Sequence, residues 1–352
     1  MEVIDKLLAG QRLSEREFLL LLEQRKQPEV CRRLREEAER LCLKNFGTKV
    51  YIRGLIEFTN YCKNNCYYCG IRRGNGGVKR YRLTKEEILD CCREGHRLGF
   101  RTFVLQGGED PWFSDERMVD IIETIKGRYP DCALTLSVGE KEKESYRKFR
   151  EAGADRYLLR HETADVDHYG VLHPREMSLA HRMQCLKDLK ELGFQVGAGF
   201  MVQSPGQELK NLAKDLFFLQ EFRPEMVGMG PFIPHHETKF AAEPAGSMEL
   251  TLFLLSVIRI MLPEVLLPAT TALGTLGEGG RERGLLAGAN VIMPNLSPEK
   301  NRKDYSLYDN KIATGEEAAE GLEALKKSVS AVGRSIVFER GDAPGLGNLK
   351  RP

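Results

Sequence analysis

Three cysteines, Cys62, Cys66 and Cys69, fall within the twelve residues TNYCKNNCYYCG at C-x-x-x-C-x-x-C spacing. Thiols this close together suggest a metal centre, and two kinds compete. A structural zinc site wants four ligands from paired knuckles, and the nearest histidine, His96, lies well down the chain on a helical pattern. An iron-sulfur cluster is also usually held by four cysteines. Three thiolates on a four-iron cluster leave one iron open to another ligand, so the spacing suits a cluster that does chemistry at its fourth corner.

The elements that must position this loop are regular. After a helical stretch over 1–47, opened by a Ser14/Glu17 capping box, short apolar runs alternate with amphipathic helices. The runs are 50–58, 102–108, 132–138, 156–162, 195–202, 226–233, 266–273 and 290–295. Helices are expected from Thr84, near 115–127, 141–152 and 177–193, from Pro205, and near 248–261, 279–288 and 316–332. The pairs Thr84/Glu87, Ser204/Gln207 and Thr314/Glu317 mark three of the starts. Eight strands, each followed by a helix, is the count of a complete (β/α)8 TIM barrel, an α/β fold spanning 48–335. An open doubly wound sheet is the alternative, but its first loop should carry a phosphate-binding glycine fingerprint, and here it carries cysteines. A C-terminal tail over 336–352 follows, and its Gly/Pro-rich stretch 341–352 is expected to be poorly ordered.

A barrel places its chemistry in the loops after its strands, which is where the cysteines lie. Gly107, Gly108 and Glu109 end the second strand, either as an ordinary turn or as a place where backbone carbonyls can approach an amino group. Alternation along the fourth strand puts Arg156, Leu158, Arg160 and Glu162 on one face, with Arg160 and Glu162 at the mouth. Two charges there should meet a ligand or each other, because unpaired buried charge is costly. Thr135, Ser137, Gly139, Gly197, Gly199, Met201, Thr270, Thr271, Met293 and Asn295 are small or hydroxyl-bearing compared with the Val, Ile and Leu of a filled barrel, so they line a hollow lumen or simply pack it. His235 and His236 are either ligands or a solvated loop pair.

The balance of 53 basic and 51 acidic residues, net +2, gives no reason to expect nucleic acid or a membrane as partner. The N-terminus lacks the pattern of a signal peptide, and LTLFLLSVIRIML is short and broken by Arg259, so a cytoplasmic protein is expected. In that reducing compartment the other six cysteines, Cys31, Cys42, Cys91, Cys92, Cys132 and Cys185, read as small core residues.

The cysteine spacing, with the aromatic Tyr68 before the last cysteine, resembles the radical S-adenosylmethionine (SAM) superfamily, in which the open iron chelates SAM and electron transfer releases a 5'-deoxyadenosyl radical. Taken with VLQGGEDP, LTLSVGE, AGADRYLLRHETA, GAGFMVQSPGQ, VGMGPFIPH, PATTALGT and GANVIMPN, residues 48–312 resemble the HydE family of FeFe-hydrogenase maturation proteins. The resemblance implies that Cys62, Cys66 and Cys69 are the catalytic metal ligands. It implies a SAM pocket made by Tyr68, Gly107, Gly108, Glu109, Ser137, Glu162, which bonds the ribose, and Arg182, which holds the carboxylate. It implies a substrate cavity lined by Gln106, Thr135, Arg160, Thr270, Thr271, Met293, Tyr305 and Tyr308, for an iron complex with carbonyl, cyanide and cysteine ligands. Implied partners are a tyrosine-lyase radical SAM maturase, a GTPase scaffold and a low-potential electron donor. Many members carry a further cysteine set near the C-terminus; here no cysteine follows Cys185, so one 4Fe-4S cluster and no second is expected. Rival readings are an amino-acid mutase of the methylornithine synthase type, a relative alongside biotin synthase, and a non-enzymatic iron-sulfur carrier or scaffold.

Overall fold

The computed structural model describes residues 2–312 and 321–344. The chain opens with α1 (Glu2–Leu8), α2 (Glu15–Glu23) and α3 (Pro28–Phe46). The Ser14 hydroxyl accepts from the Glu17 N–H at 3.3 Å while the Glu17 carboxylate accepts from the Ser14 N–H at 2.8 Å, which is the expected capping box. Val30, Leu34, Ala38 and Cys42 recur at helical spacing on the buried face of α3, which packs on α10 (Met248–Met261). That helix is the apolar LTLFLLSVIRIM stretch. Its Arg259 is wholly buried and bonds the carbonyls of Gly288 (2.9 Å) and Pro263 (2.8 Å). No described helix is long and apolar enough to cross a membrane.

The strands are β1 (Lys49–Ile52), β2 (Gly54–Thr59), β3 (Thr102–Gly107), β4 (Ala133–Ser137), β5 (Arg156–Leu158), β6 (Gln195–Ala198), β7 (Met201–Val202), β8 (Met226–Val227), β9 (Gly230–Pro231), β10 (Val291–Ile292) and β11 (Ser335–Val337). A parallel sheet runs β2-β3-β4-β5-β6-β8. From β8 the pairing continues through Val227 N–H to the Leu266 carbonyl (3.0 Å) and Ala269 N–H to the Val291 carbonyl (2.9 Å). It returns to β2 through Leu55 N–H to Pro294 (2.9 Å) and Leu296 N–H to Leu55 (2.7 Å). The circuit comes back to its start, as the expected eight-stranded barrel requires, with its last steps made by single bridges. Between the strands lie α4 (Lys85–Arg97), α5 (Asp115–Arg128), α6 (Lys143–Glu151), α7 (Val166–Leu172), α8 (Leu179–Glu191), α9 (Leu209–Phe222), α11 (Thr271–Leu276), α12 (Gly280–Leu286), α13 (Glu299–Arg302) and α14 (Leu322–Ala331).

Several sequence expectations are corrected in detail. The 50–58 run is two strands: Arg53 divides β1, which pairs with β10 and β11, from β2. The fourth strand stops at Leu158, four residues short, and Glu162 adopts a left-handed φ of 66°. In the 266–273 run only Leu266 and Pro268 pair; Thr270 turns the chain into α11. The helix placed at Pro205 starts at Leu209. Gly206 holds a left-handed turn (φ 76°), and Glu208 with Asn211, rather than Ser204 with Gln207, caps it. The Thr314/Glu317 cap lies outside the described residues.

Residues 341–344, expected to be loose, are packed against the barrel. β11 pairs with β1, and the chain then closes the base of the barrel, where Asp342 meets Arg156 at 2.6 Å and Arg340 meets Asp155 at 3.0 Å. The remainder of the tail, 345–352, lies outside the described residues.

Candidate active site

The loop after β2 carries Cys62, Cys66 and Cys69 at the C-terminal mouth of the barrel, each partly accessible and none in a disulfide. Its neighbours pin it. Lys63 N–H bonds the Glu109 carbonyl at 2.8 Å, Gly108 N–H bonds the Thr59 carbonyl at 3.2 Å, and Tyr67 N–H bonds the Leu172 carbonyl at 3.0 Å. Two glycines are required by close approach: a Cβ on Gly108 would lie 2.2 Å from the Tyr61 carbonyl oxygen, and one on Gly70 would lie 2.2 Å from that of Ser306. Cys66 Sγ stands 3.7 Å from Met177 Sδ. Burial, and then the neighbouring thiols, push the Cys66 thiol well up and Cys69 up to about 12; burial also raises Cys62. Bound metal would reverse that preference, because its positive charge favours thiolate.

Tyr68 is packed behind the cysteines, its hydroxyl 3.3 Å from His173 Nε2, and His173 is stacked on Tyr169 with centroids 3.9 Å apart. Burial lowers the His173 pKa to about 3, so this imidazole is neutral, and burial holds the Tyr68 phenol well above its usual range.

Arg160 and Glu162 do meet: Nη2 donates to Oε2 at 2.8 Å. Arg182 is buried, and its side chain bonds the Arg160 carbonyl (2.6 Å) and the Glu140 carboxylate. Glu109 joins two loops. Its Oε1 accepts from Glu140 N–H at 2.9 Å, and Lys63 Nζ stands 3.4 Å from Oε2, so this carboxylate positions the loops after β3 and β4. That contact needs Gly139, whose φ is 76° and whose Cβ would fall 2.1 Å from Glu109 Cγ. Gly139→Ala is expected to cost about 1–3 kcal/mol, the price of a strained residue of this kind. The loss should appear in the urea midpoint and in iron retained after reconstitution. Ser137 ends β4 in register with Gln106 of β3.

Deeper in the barrel, Gln106 Nε2 reaches Tyr305 OH at 3.4 Å. Tyr305 is buried, and burial raises its phenol well above the usual range, as it raises Tyr308 to about 12. Thr135 Oγ1, Thr270 Oγ1 and Arg160 Nε are buried with no hydrogen-bond partner. Thr271 is the first residue of α11, with its carbonyl bonded by Thr275 Oγ1, and Met293 packs against the cluster that includes Met226, Leu266 and Val291.

The sequence reading missed a buried ion pair at the heart of the lumen. Glu57 Oε1 takes Lys311 Nζ at 2.5 Å, and Oε2 takes Asn295 Nδ2 at 2.8 Å. A lone Glu in the run GLIEFT was the available signal; nothing local marked Lys311. Glu140, three residues beyond Ser137 in LSVGE, was missed as well.

His235 and His236 meet Asp309. His236 Nδ1 lies 2.7 Å from Asp309 Oδ1, its N–H bonds Oδ2 at 2.8 Å, and Asp309 N–H bonds the Pro234 carbonyl at 2.9 Å, which ties down the segment carrying Tyr305, Tyr308 and Lys311. His235 Nδ1 accepts from Glu237 N–H at 3.1 Å, which directs its proton to Nε2. The hydrogen bond to Asp309 raises the His236 pKa above its usual value. Its contribution is therefore complete below about pH 6.5 and fades as pH rises through the raised value. The stability difference between the parent and His236→Gln is expected to be present at pH 6 and to vanish at higher pH, measured by urea unfolding. Burial lowers His235 and gives the opposite trend, and because burial is common to both proteins that part cancels in the difference.

The donor set fits a three-cysteine iron-sulfur site with a polar ligand beside it: clustered thiols, glycines where backbone crowds them, and buried polar atoms without a partner. Residues 56–219 match the radical SAM superfamily. The chain is 47% identical to the [FeFe] hydrogenase maturase subunit HydE of Thermotoga maritima, over 84% of each chain. It belongs to the HydE family. Like the rest of the superfamily, HydE-family proteins are enzymes, and family membership implies a 4Fe-4S cluster and SAM. Among solved structures, methylornithine synthase (PylB) superposes with a TM-score of 0.82 at 27% identity, covering 95% of this chain and 97% of that one. The FeFe-hydrogenase maturase HydG of Carboxydothermus hydrogenoformans gives 0.79 at 19% identity, covering 96% and 79%, a likeness of fold.

Proposed function

We propose that the chain acts in assembly of the FeFe-hydrogenase active-site cluster, using one 4Fe-4S cluster held by Cys62, Cys66 and Cys69, and that its substrate is a small organometallic iron-cysteine complex bearing carbonyl and cyanide ligands. The observation that carries this reading is the set of buried polar atoms without a hydrogen-bond partner, Thr135 Oγ1, Thr270 Oγ1 and Arg160 Nε. Buried polar groups are ordinarily bonded, so these call for a polar guest. When bound, cluster and SAM supply a 5'-deoxyadenosyl radical by one-electron reductive cleavage. Glu162, fixed in a left-handed turn by its N–H bond to the Gly199 carbonyl (3.0 Å), offers the ribose an acceptor. Arg182, aligned by Glu140 and the Arg160 carbonyl, offers a cation to the SAM carboxylate. Arg160, whose Nη2 holds Glu162 while its Nε is left without a partner, offers a donor to an anionic complex carrying cyanide and a cysteine carboxylate. A tyrosine-lyase radical SAM maturase would supply that complex and a GTPase scaffold would receive the product.

The test is anaerobic reconstitution with dithionite and SAM, with and without the synthetic complex. Parent protein is expected to be brown, to release 5'-deoxyadenosine and to consume the complex. Arg160→Ala is expected to keep uncoupled SAM cleavage while turnover of the complex falls by about tenfold to a hundredfold, the worth of a hydrogen bond to a charged group. Conversion of lysine to methylornithine, with the complex untouched, would replace this reading by the mutase one.

A further inference from the structure

A second meeting of ligand-type side chains lies at the N-terminal end of the strands, away from the cysteine loop. His96 stands in the last turn of α4. Asp131 and Cys132 immediately precede β4, whose first residue, Ala133, is in register with Thr102 at the start of β3. The imidazole, the carboxylate and the thiol each offer one ligand atom, and the three atoms lie within 4.8 Å of one another. His96 Nε2 is 3.4 Å from Asp131 Oδ2, and Cys132 Sγ is 3.8 Å from Oδ1. Tetrahedral zinc, with bonds of about 2.0–2.1 Å to nitrogen and oxygen and about 2.3 Å to sulfur, separates its ligand atoms by about 3.3–3.6 Å. The three donors therefore need little movement to take an ion. Their surroundings steady them. Arg101 Nε pairs with Asp131 Oδ2 at 2.7 Å, while its Nη1 bonds the carbonyls of Phe100 at 3.0 Å and His96 at 3.4 Å. The guanidinium thus fixes the carboxylate against the end of α4 and leaves Oδ1 on the side of the thiol. The His96 ring lies against Tyr129, with centroids 4.9 Å apart. Outer contacts of this kind orient the ligands of metal sites. Exposure is graded: Cys132 is 1% exposed, whereas the side chains of His96 and Asp131 are 34% and 50% exposed. An ion arriving from solvent would meet the thiol as the floor of the site.

We propose that His96, Asp131 and Cys132 bind a zinc ion, with water as fourth ligand, joining the end of α4 to the start of β4. The mixed donor set selects the ion, since nitrogen, oxygen and sulfur together suit zinc while calcium and magnesium take oxygen. On binding, Cys132 gives its thiol proton to solvent and coordinates as thiolate, Asp131 coordinates through Oδ1 and keeps Arg101 on Oδ2, and no electron moves. An ion pair of Asp131 with Arg101 accounts for the carboxylate alone. It leaves the thiol with only long contacts, 3.8 Å each, to Asp131 Oδ1 and the Phe100 carbonyl. The site stands apart from the cysteines after β2 and does not depend on the function proposed for them.

The probe is zinc itself, presented to the reconstituted holoenzyme by anaerobic dialysis against micromolar free zinc. X-ray absorption at the zinc edge, which does not see iron, is expected to show a single sulfur at about 2.3 Å and nitrogen or oxygen at about 2.0–2.1 Å. Cys132→Ser and His96→Gln are each expected to weaken zinc binding on the order of a hundredfold, since loss of even an outer-shell partner weakens a site by about tenfold to a hundredfold. Zinc should raise the urea midpoint of the parent and of neither variant, because an ion that binds only the folded chain stabilises it. The partly exposed His96→Gln carries the test should Cys132→Ser fail to fold. Dithionite-driven SAM cleavage by His96→Gln should match that of the parent. A parent that holds no zinc above background overturns the proposal. So does zinc held equally by parent and both variants, or a spectrum with two or more sulfurs, which would assign the ion to the cysteines after β2.

Discussion

Replacing any one of Cys62, Cys66 and Cys69 by alanine is expected to abolish 5'-deoxyadenosine formation, to the uncatalysed background, and to leave the reconstituted protein with little bound iron. Each thiol is a ligand that no neighbour can replace: the other six cysteines lie elsewhere in the sequence, and Met177, though 3.7 Å from Cys66, offers only a weak thioether. Folding should survive. The loop is held by backbone bonds from Lys63, Tyr67 and Gly108 that the substitutions leave untouched, so far-UV circular dichroism and the urea midpoint should stay near those of the parent without cluster. The pairing of lost iron with retained fold is the decisive readout. A Cys→Ala variant that still cleaved SAM would remove the catalytic assignment of the whole loop.

What the sequence disclosed follows the range of the forces involved. The capping boxes at Ser14 and Thr84 are local, three residues across, and the structure has both. The start at Pro205 misled because Ser-Pro-Gly-Gln looks like a cap, while the left-handed Gly206 postpones the helix to Leu209. The 266–273 run is apolar enough for either state. Only the neighbours Met226 and Val291, distant in sequence, determine that two of its residues pair and that Thr271 begins a helix. At the site, the cysteines could be read from spacing, whereas Arg160 and Glu162 lie beyond the end of the strand whose alternation pointed to them and meet across a left-handed turn. The Glu140 hold on Arg182 and the Glu57 pairing with Lys311 join segments 42 and 254 residues apart, and no local pattern encodes such a meeting.

That last pairing carries the second large expected effect. Glu57 is 1% exposed and Lys311 8% exposed at their side chains, so neither charge can recover water if its partner is removed. Lys311→Met should therefore strand a buried carboxylate with only Asn295 for company, at a cost of about 3–5 kcal/mol, read as a lowered urea midpoint. Glu57→Gln alone strands the ammonium, although Lys311 retains the Tyr305 carbonyl at 3.0 Å and should suffer less. The double variant Glu57→Gln with Lys311→Met removes both charges and should recover most of the loss, since a buried pair often contributes little net stability over a neutral replacement of similar shape. If the single and double variants were equally destabilised, the pair would be packing rather than charge compensation. The substrate reading separates from stability in the same set. Removing Lys311 leaves uncompensated negative charge in the lumen, so an anionic iron complex should bind more weakly to Lys311→Met than to the double variant even where both are folded.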